Sequence, residues 1–373
     1  MQNEFSTRKQ LSRFGIQLLR QLLLIIIALL VATVILTISG YEPLAVYQGL
    51  GRGVTSDFGG TIRWTTPLLF CGLAVAISFR AGVFNLGVDG QLYLGSVAAT
   101  AVGLYIATNM APFWGILLAI LAGALAGALW ALIPAILLVK WNTDEVVTTL
   151  LLNFVAILFT DFLVMGPMMG TGSTGTTYST DNLPAVMKLM LILSPSKANV
   201  GLFIGIAIAL VLTFVIYRMT IGYELKMVGS NPLFAKYGGI RSKRIILSTM
   251  LTSGAIAGLA GAIEILGVHH RFPGRYNDGL GFEGVVVALL ANNHPIGVVV
   301  SALFFGALRN GAMNMERITD VPRAMVEIIQ ATIMLLVTAK FAISFFKRKR
   351  SPRNKKEENE IEMTSSSGGL ISG

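Results

Sequence analysis

Charge is what this sequence has least of. Only 13% of its 373 residues are Asp, Glu, Lys or Arg, against roughly a quarter in soluble domains. With 54% hydrophobic residues and a mean hydropathy of +0.71, the composition predicts an integral membrane protein. A single cysteine, Cys71, excludes an intrachain disulfide framework and a cysteine-built metal site. The three histidines, His269, His270 and His294, lack zinc-motif spacing. There is no G-x-x-x-x-G-K-S/T and no Gly-Lys dipeptide, no H-E-x-x-H and no G-x-S-x-G. With no nucleophile–base or metal constellation, the chain reads as a non-enzyme.

The net charge of +10 does not form a nucleic-acid stripe. The basic residues stand at the ends of apolar runs and in the tails, the pattern of membrane topology. Residues 1–20 carry Arg8, Lys9, Arg13 and Arg20 and read as a cytoplasmic N-terminal segment. Residues 21–346 form the transmembrane domain, and residues 347–373, opening with Lys347-Arg348-Lys349-Arg350, a cytoplasmic, disordered tail. Apolar runs at 21–38, 62–79, 92–107, 113–139, 201–217, 245–266 and 325–346 are spans, with another helix after Asp144-Glu145. Residues 41–60 and 166–199 read as outer loops, the second serving as flexible filler or as a contact for a delivery protein. Residues 281–291 and 295–308 are short and read as a broken or re-entrant pair. Both termini inside requires an even number of spans, eight or ten by run length.

Four polar interruptions stand out. Residues 218–244 are a cytoplasmic loop by their excess of Lys and Arg. Within it Gly-Ser-Asn-Pro at 229–232 predicts a turn, Asn231 an N-cap and 232–237 a short helix ended by Gly238-Gly239. That helix suits either a plain connection or the docking of a soluble partner. In FNLGVDGQ, residues 84–91, glycines permit a break, and Asp89 and Gln91 can satisfy freed backbone groups. In NTDEVVTTLLLN, residues 142–153, Glu145, Thr149 and Asn153 follow at four-residue steps, a polar stripe for interhelical bonding or for a pore lining. Glu264 is an acid near a span end, with Arg271 or Arg275 as candidate partner. Glu283-Gly284 also echoes Asp89-Gly90, a hint of repeated interrupted helices around a substrate path.

These segments resemble the permease subunits of ATP-binding-cassette importers that serve simple sugars, nucleosides and branched-chain amino acids. The resemblance rests on FNLGVDGQ, NTDEVVTTLLLN, GAIEILG and GYELKMVGSNPLFAKYGGI and covers residues 62–346. The family usually has Glu where this chain has Asp89, and often Gly where it has Ala291. The resemblance implies an all-α polytopic fold of about ten helices, including short re-entrant ones. It implies a coupling loop at 218–245, with Gly229, Asn231, Ala235, Gly238 and Ile240 engaging a cytoplasmic ATPase. ATP and magnesium belong to that partner, and no cofactor is expected on this chain. A second permease, a paralogue or a copy of this chain, an extracellular substrate-binding lipoprotein and the bilayer of a bacterial plasma membrane complete the expected partners. The motifs look most like the nucleoside subgroup, ahead of simple sugars and branched-chain amino acids. Substrate-path candidates are Phe84, Asn85, Asp89, Gln91, Glu145, Thr149, Asn153 and Glu264. An ion-coupled secondary transporter, with Asp89, Glu145, Glu264 and Glu327 as a relay, is the alternative of another class.

Overall fold

The computed structural model describes residues 26–335, apart from 28, 108–109, 174–177, 277–278, 319–321, 323 and 333–334. The expected N-terminal segment and C-terminal tail therefore lie outside the described residues. The described residues before Leu36 and from Glu327 on form one unit, and those of Leu36–Val326 another. In the first, helix α1 (Leu29–Ile38) begins, and Thr33 and Thr332 donate back to the Leu29 and Ile328 carbonyls, each at 2.8 Å.

Among the described residues the second unit is mostly helical, with one small hairpin and an isolated bridge between Ser179 and Pro273. Its helices are α2 (Pro43–Ser56), α3 (Phe58–Arg80), α4 (Val88–Ala101), α5 (Pro112–Trp141), α6 (Glu145–Met165), α7 (Gly201–Arg218), α8 (Thr220–Ser230), α9 (Pro232–Tyr237), α10 (Ser242–Glu264), α11 (Leu280–Leu290) and α12 (Pro295–Ile318). Both α4 and α10 run on as π turns, Val102–Ile106 and Ile265–His269. Six helices, α3, α5, α6, α7, α10 with its π turn, and α12, are long and apolar enough to cross a membrane. The shorter α1 and α11 and the α4 segment add to these, so a polytopic all-α chain of roughly the expected helix number results.

Small residues set the packing. The ridge at Ala119, Gly123 and Gly127 of α5 meets Gly254 and Gly258 of α10, and a Cβ on Gly258 would lie 2.1 Å from the Gly123 carbonyl oxygen. Helix α4 joins them through Gly95 against Gly258 and Gly261 against the Leu92 carbonyl. Backbones approach this closely only without side chains between them. A second set pairs α3 with α11 and α12: Gly284 lies against Cys71, Gly72 against Val287 and Val298, and Gly306 against Thr65. Exposed apolar side chains run along α5 (Leu118, Leu121, Leu125, Leu129) and α6 (Phe154, Leu158, Phe162), the surface expected against lipid.

Several local expectations change. Residues 41–60 form not a loop but α2 and the start of α3. Pro43 begins α2, Asp57 caps α3 by accepting from Gly60 N at 2.8 Å, and Gly53 lets α2 close on Gly311 of α12. Of the supposed broken pair only α11 is short; α12, with 24 residues, is of spanning length. Residues 229–230 are the last turn of α8 rather than a turn, and the chain breaks at Asn231. The segment 166–199 folds as a 3-10 turn (Ala185–Met187) and a hairpin of β1 (Leu191–Leu193) and β2 (Ala198–Asn199). It forms a lid over the end of α10. Thr180 N donates to Phe272 O (3.0 Å), Leu183 N to His270 O (2.8 Å) and Leu189 N to Leu266 O (2.9 Å). Leu183 and Met187 are buried beneath it.

Candidate functional site

The break before α4 comes first, because it dictates where polar groups must go. From Ala81 to Gly87 the chain leaves the end of α3 without helical bonds, then restarts as α4. Backbone groups freed inside a membrane protein need internal partners, and the polar residues of the motif supply them. Asn85 Oδ1 accepts from Gly87 N (3.0 Å) and Gln91 Nε2 (3.1 Å), while its Nδ2 donates to Gln91 Oε1 (3.0 Å) and Ser253 Oγ (2.8 Å). Across α6, Thr149 Oγ1 accepts from Leu86 N (3.2 Å), and Asn153 donates to Leu86 O and accepts from Gly90 N, each at 2.8 Å. The α6 stripe is thus brought onto the α4 break. Asn85, Gln91, Thr149 and Asn153 are all buried.

The other candidates are placed differently. Phe84 is half-buried, its ring edge-on to Phe79 at 4.8 Å. Glu145 opens α6, where Asp144 is the N-cap and Glu145's carbonyl accepts from Thr149 Oγ1 at 2.6 Å. Asp89, in the first turn of α4, accepts from Gly281 N at 2.8 Å. Because Gly284 lies against Cys71 and Asn293 against Arg80, α11 runs parallel to α3. The Asp89–Gly281 bond is then level with the middle of α3. Two helix N-termini meet there, and Asp89 places its carboxylate where both dipoles favour a negative charge. The echo between Asp89-Gly90 and Glu283-Gly284 therefore marks two interrupted helices that face each other.

Glu264 belongs to a second group, which includes residues with no sequence signal. Its partner is Arg63 of α3 at 3.0 Å, with His269 Nε2 at 3.6 Å, and not Arg271 or Arg275. Arg275 instead pairs with Asp161 at 2.9 Å, an interaction that raises its pKa. The Arg63 guanidinium rests 3.6 Å over the Trp64 ring, and Arg309 of α12 lies over the same ring at 4.2 Å. Arg309 donates to Glu283 of α11 at 2.6 Å. Pro67 leaves the Arg63 carbonyl without its intrahelical donor at this level. Tyr276 closes the far side, edge-on to His269 at 4.9 Å and bonded to Ser96 of α4. This wall is not sealed: the side chains of His269 and Glu283 are 26% and 20% exposed, and Phe282 is 45% exposed. Charged groups within spanning helices are costly against lipid, and here they pair with one another. Arg63, Trp64 and Arg309 were hidden because their partners are distant in sequence.

At the opposite end stands the predicted short helix. Asn231 Oδ1 accepts from Leu233 N and Phe234 N, each at 3.0 Å, and Gly239 follows α9 with φ +79°. Ala235 is buried and Gly238 exposed, while Gly229 lies against the Arg80 carbonyl. Leu233, Phe234 and Tyr237 project outward at 70%, 60% and 90% exposure. That apolar surface was not among the predicted residues. Among the described residues no group of three His, Cys, Asp or Glu side chains could hold a metal ion.

Sequence comparison agrees with this architecture. Residues 58–338 match the family described as branched-chain amino acid transport system / permease component. The chain is 36% identical to the guanosine ABC transporter permease protein NupP of Bacillus subtilis, over 88% of this chain and 95% of that one. It is equally 36% identical to the glucose ABC transporter permease protein TsgB13 of Haloferax volcanii, over 88% of each. The nucleoside ABC transporter permease protein NupB of Lactococcus lactis is 30% identical over 86% of this chain and 91% of that one. A helical membrane chain with interrupted helices, matched to this family over most of its length, belongs to the branched-chain amino acid transport system permease family.

Proposed function

We propose that this chain is the membrane-spanning permease subunit of an ATP-binding-cassette importer and that its solute is a nucleoside. The observation that carries the reading is the partly open wall of Trp64, Phe282, Arg63–Glu264 and Arg309–Glu283. Each charge in it is matched by its neighbour, which favours an uncharged, polar solute over an ion. Aromatic rings suit a base, and carboxylate and guanidinium groups suit ribose hydroxyls. Asn85, Gln91, Thr149 and Asn153 then hold the α4 break that shapes the path, and Asp89 holds its midpoint. The guanosine and nucleoside permeases among the relatives support this solute class. A simple sugar is the second reading, favoured by the equal identity to a glucose permease.

In this reading α9 is cytoplasmic and docks the ATPase, which holds ATP and magnesium, through Leu233, Phe234 and Tyr237. The lid faces outward toward a solute-binding lipoprotein, and both termini are cytoplasmic, in a bacterial plasma membrane. A second permease subunit covers the open wall. The test is uptake of radiolabelled guanosine, uridine, glucose and ribose by cells expressing the chain with and without its ATPase and partner permease. Nucleoside uptake only with the full set supports the reading. Sugar uptake alone moves the assignment to the second reading, and uptake by this chain alone, abolished by an uncoupler, replaces both with ion-coupled transport.

A further inference from the structure

The end of α3 joins parts that are far apart in sequence. The Arg80 backbone is held by α8: a Cβ on Gly229 would lie 2.1 Å from the Arg80 carbonyl oxygen, and Gly82, at φ +75°, faces the Gly229 Cα. No residue larger than glycine fits at 229 without parting the two segments. The Arg80 side chain reaches the other way. Its Nε donates to the Asn293 carbonyl, and its Nη2 donates to the Tyr217 hydroxyl, each at 2.7 Å. The Tyr217 ring lies 5.2 Å from the His294 imidazole, so the end of α7 and the α11–α12 turn close on the same guanidinium.

Beyond this junction α11 is built as a short rod between left-handed joints. Gly279 has φ +79° at one end, and Asn292 and Asn293 have φ +48° and +57° at the other. Its first turn holds the Asp89–Gly281 bond and presents Phe282. Glycine contacts tie the rod to α3 at Gly72 and Gly284 and to α4 at Gly281, which lies against Asp89 and donates the hydrogen bond to its carboxylate. Arg80 thus touches α8 through its backbone and the α11–α12 turn and α7 through its side chain, a polar link between them beside the α3–α11 packing.

We propose that Arg80 is a positioning residue that carries displacement of α8–α9 into α11 and so controls the Asp89–Gly281 joint between the two interrupted helices. It touches neither solute nor nucleotide. The proposal rests on the permease reading but not on which solute is carried.

Cys71 is the only cysteine and is buried, so Phe282→Cys introduces the one accessible thiol of this chain. Its labelling by a charged maleimide is measured in membranes holding the full assembly, first with ADP and then with ATP and vanadate. A severalfold difference between the two states is expected, and Arg80→Gln removes that difference. Uptake then falls at least about tenfold, because two charge-assisted hydrogen bonds are lost together, while the ATPase still copurifies and hydrolyses ATP. Tyr217→Phe, which deletes one hydroxyl from an exposed ring, shrinks the difference without removing it and guards against misfolding of the arginine variant. Nucleotide-dependent labelling that persists in Arg80→Gln, or labelling that never depends on nucleotide, overturns the proposal. Because labelling requires no solute, failed nucleoside uptake with a normal labelling response would refute the solute assignment alone.

Discussion

Arg63 and Glu264 stand 201 residues apart in the sequence and 3.0 Å apart in space. The pair joins α3 to α10, and Glu264 is 2% exposed. Removing one member leaves the other charge uncompensated, at a cost of about 3–5 kcal/mol. Glu264→Gln is therefore expected to lower thermal stability in detergent by that order. The double variant Arg63→Met/Glu264→Leu, which removes both charges, is expected to regain most of it.

Asn153 joins α6 to the broken backbone before α4 by two 2.8 Å hydrogen bonds. Asn153→Ala leaves the Gly90 N–H and the Leu86 carbonyl without that partner, at about 1–3 kcal/mol for each buried group. Reduced membrane abundance and a lower unfolding temperature are expected, with solute preference unchanged in the surviving protein. A switched preference with normal abundance would place Asn153 in direct contact with the solute.

Glycine substitutions separate packing from propensity. Gly258→Ala drives a methyl into the Gly123 carbonyl and is expected to cost about 1–3 kcal/mol as overpacking. Gly51→Ala, in α2 with no atom within 4 Å of the new Cβ, is expected to raise stability by about 0.4–1 kcal/mol through the unfolded chain. Thermal unfolding of the two purified variants measures both.

His270 gives the lid a pH dependence. Burial, and then the Lys188 charge, lower its pKa below the ordinary 6.5, and its Nδ1 is buried with no hydrogen-bond partner among the described residues. The folded state thus favours neutral imidazole. Its contribution is fully present above pH 6.5 and is lost as pH falls from there toward the lowered folded value. The protection of the Leu183 and Leu189 amides, referred to the intrinsic exchange rate at each pH, is expected to fall on acidification from neutral pH. His270→Asn keeps a residue that tolerates the left-handed backbone (φ +57°) and is expected to remove that dependence.

Tyr237 is the most outward side chain of α9, at 90% exposure. Tyr237→Asp is expected to leave folding and abundance intact while abolishing copurification of the ATPase. Retained copurification would move the docking surface elsewhere.

Local signals were legible in the sequence and distant ones were not. Asn231 followed by Pro232 and ended by Gly238-Gly239 specifies a short capped helix within nine residues, and the structure has that helix. The four-residue spacing of Thr149 and Asn153 showed a polar face, but only the fold showed that it meets Leu86 and Gly90. The lid read as flexible filler or as a contact for a delivery protein, because its Gly, Ser and Thr content resembles a flexible loop. Its backbone partners, Leu266, His270 and Phe272, lie about 80 residues further on, a separation that no local propensity can report. Glycines in α2 suggested a loop for the same reason: Gly53 is there for α12, a contact invisible until both helices are placed. The wall around Trp64 drew on several segments distant in sequence, so only its Glu264 and Glu283 members stood out.

The π turn at Ile265–His269 has a further bearing on how this chain compares with others. A π turn holds one more residue than the α-helical turn it replaces. Deleting a single residue there would let α10 continue as ordinary helix with the chain beyond it close to its present orientation, because the wider turn absorbs the extra residue. Leu266 and His269 lie inside the wide turn, so the bond that the Leu266 carbonyl receives from Leu189 N and the His269–Glu264 contact are the ones a deletion would alter. A relative with a plain helix at this place would thus align with a one-residue gap inside an apolar segment, where gaps are ordinarily assigned to loops. Such a gap would mark a chain whose lid is attached by other bonds.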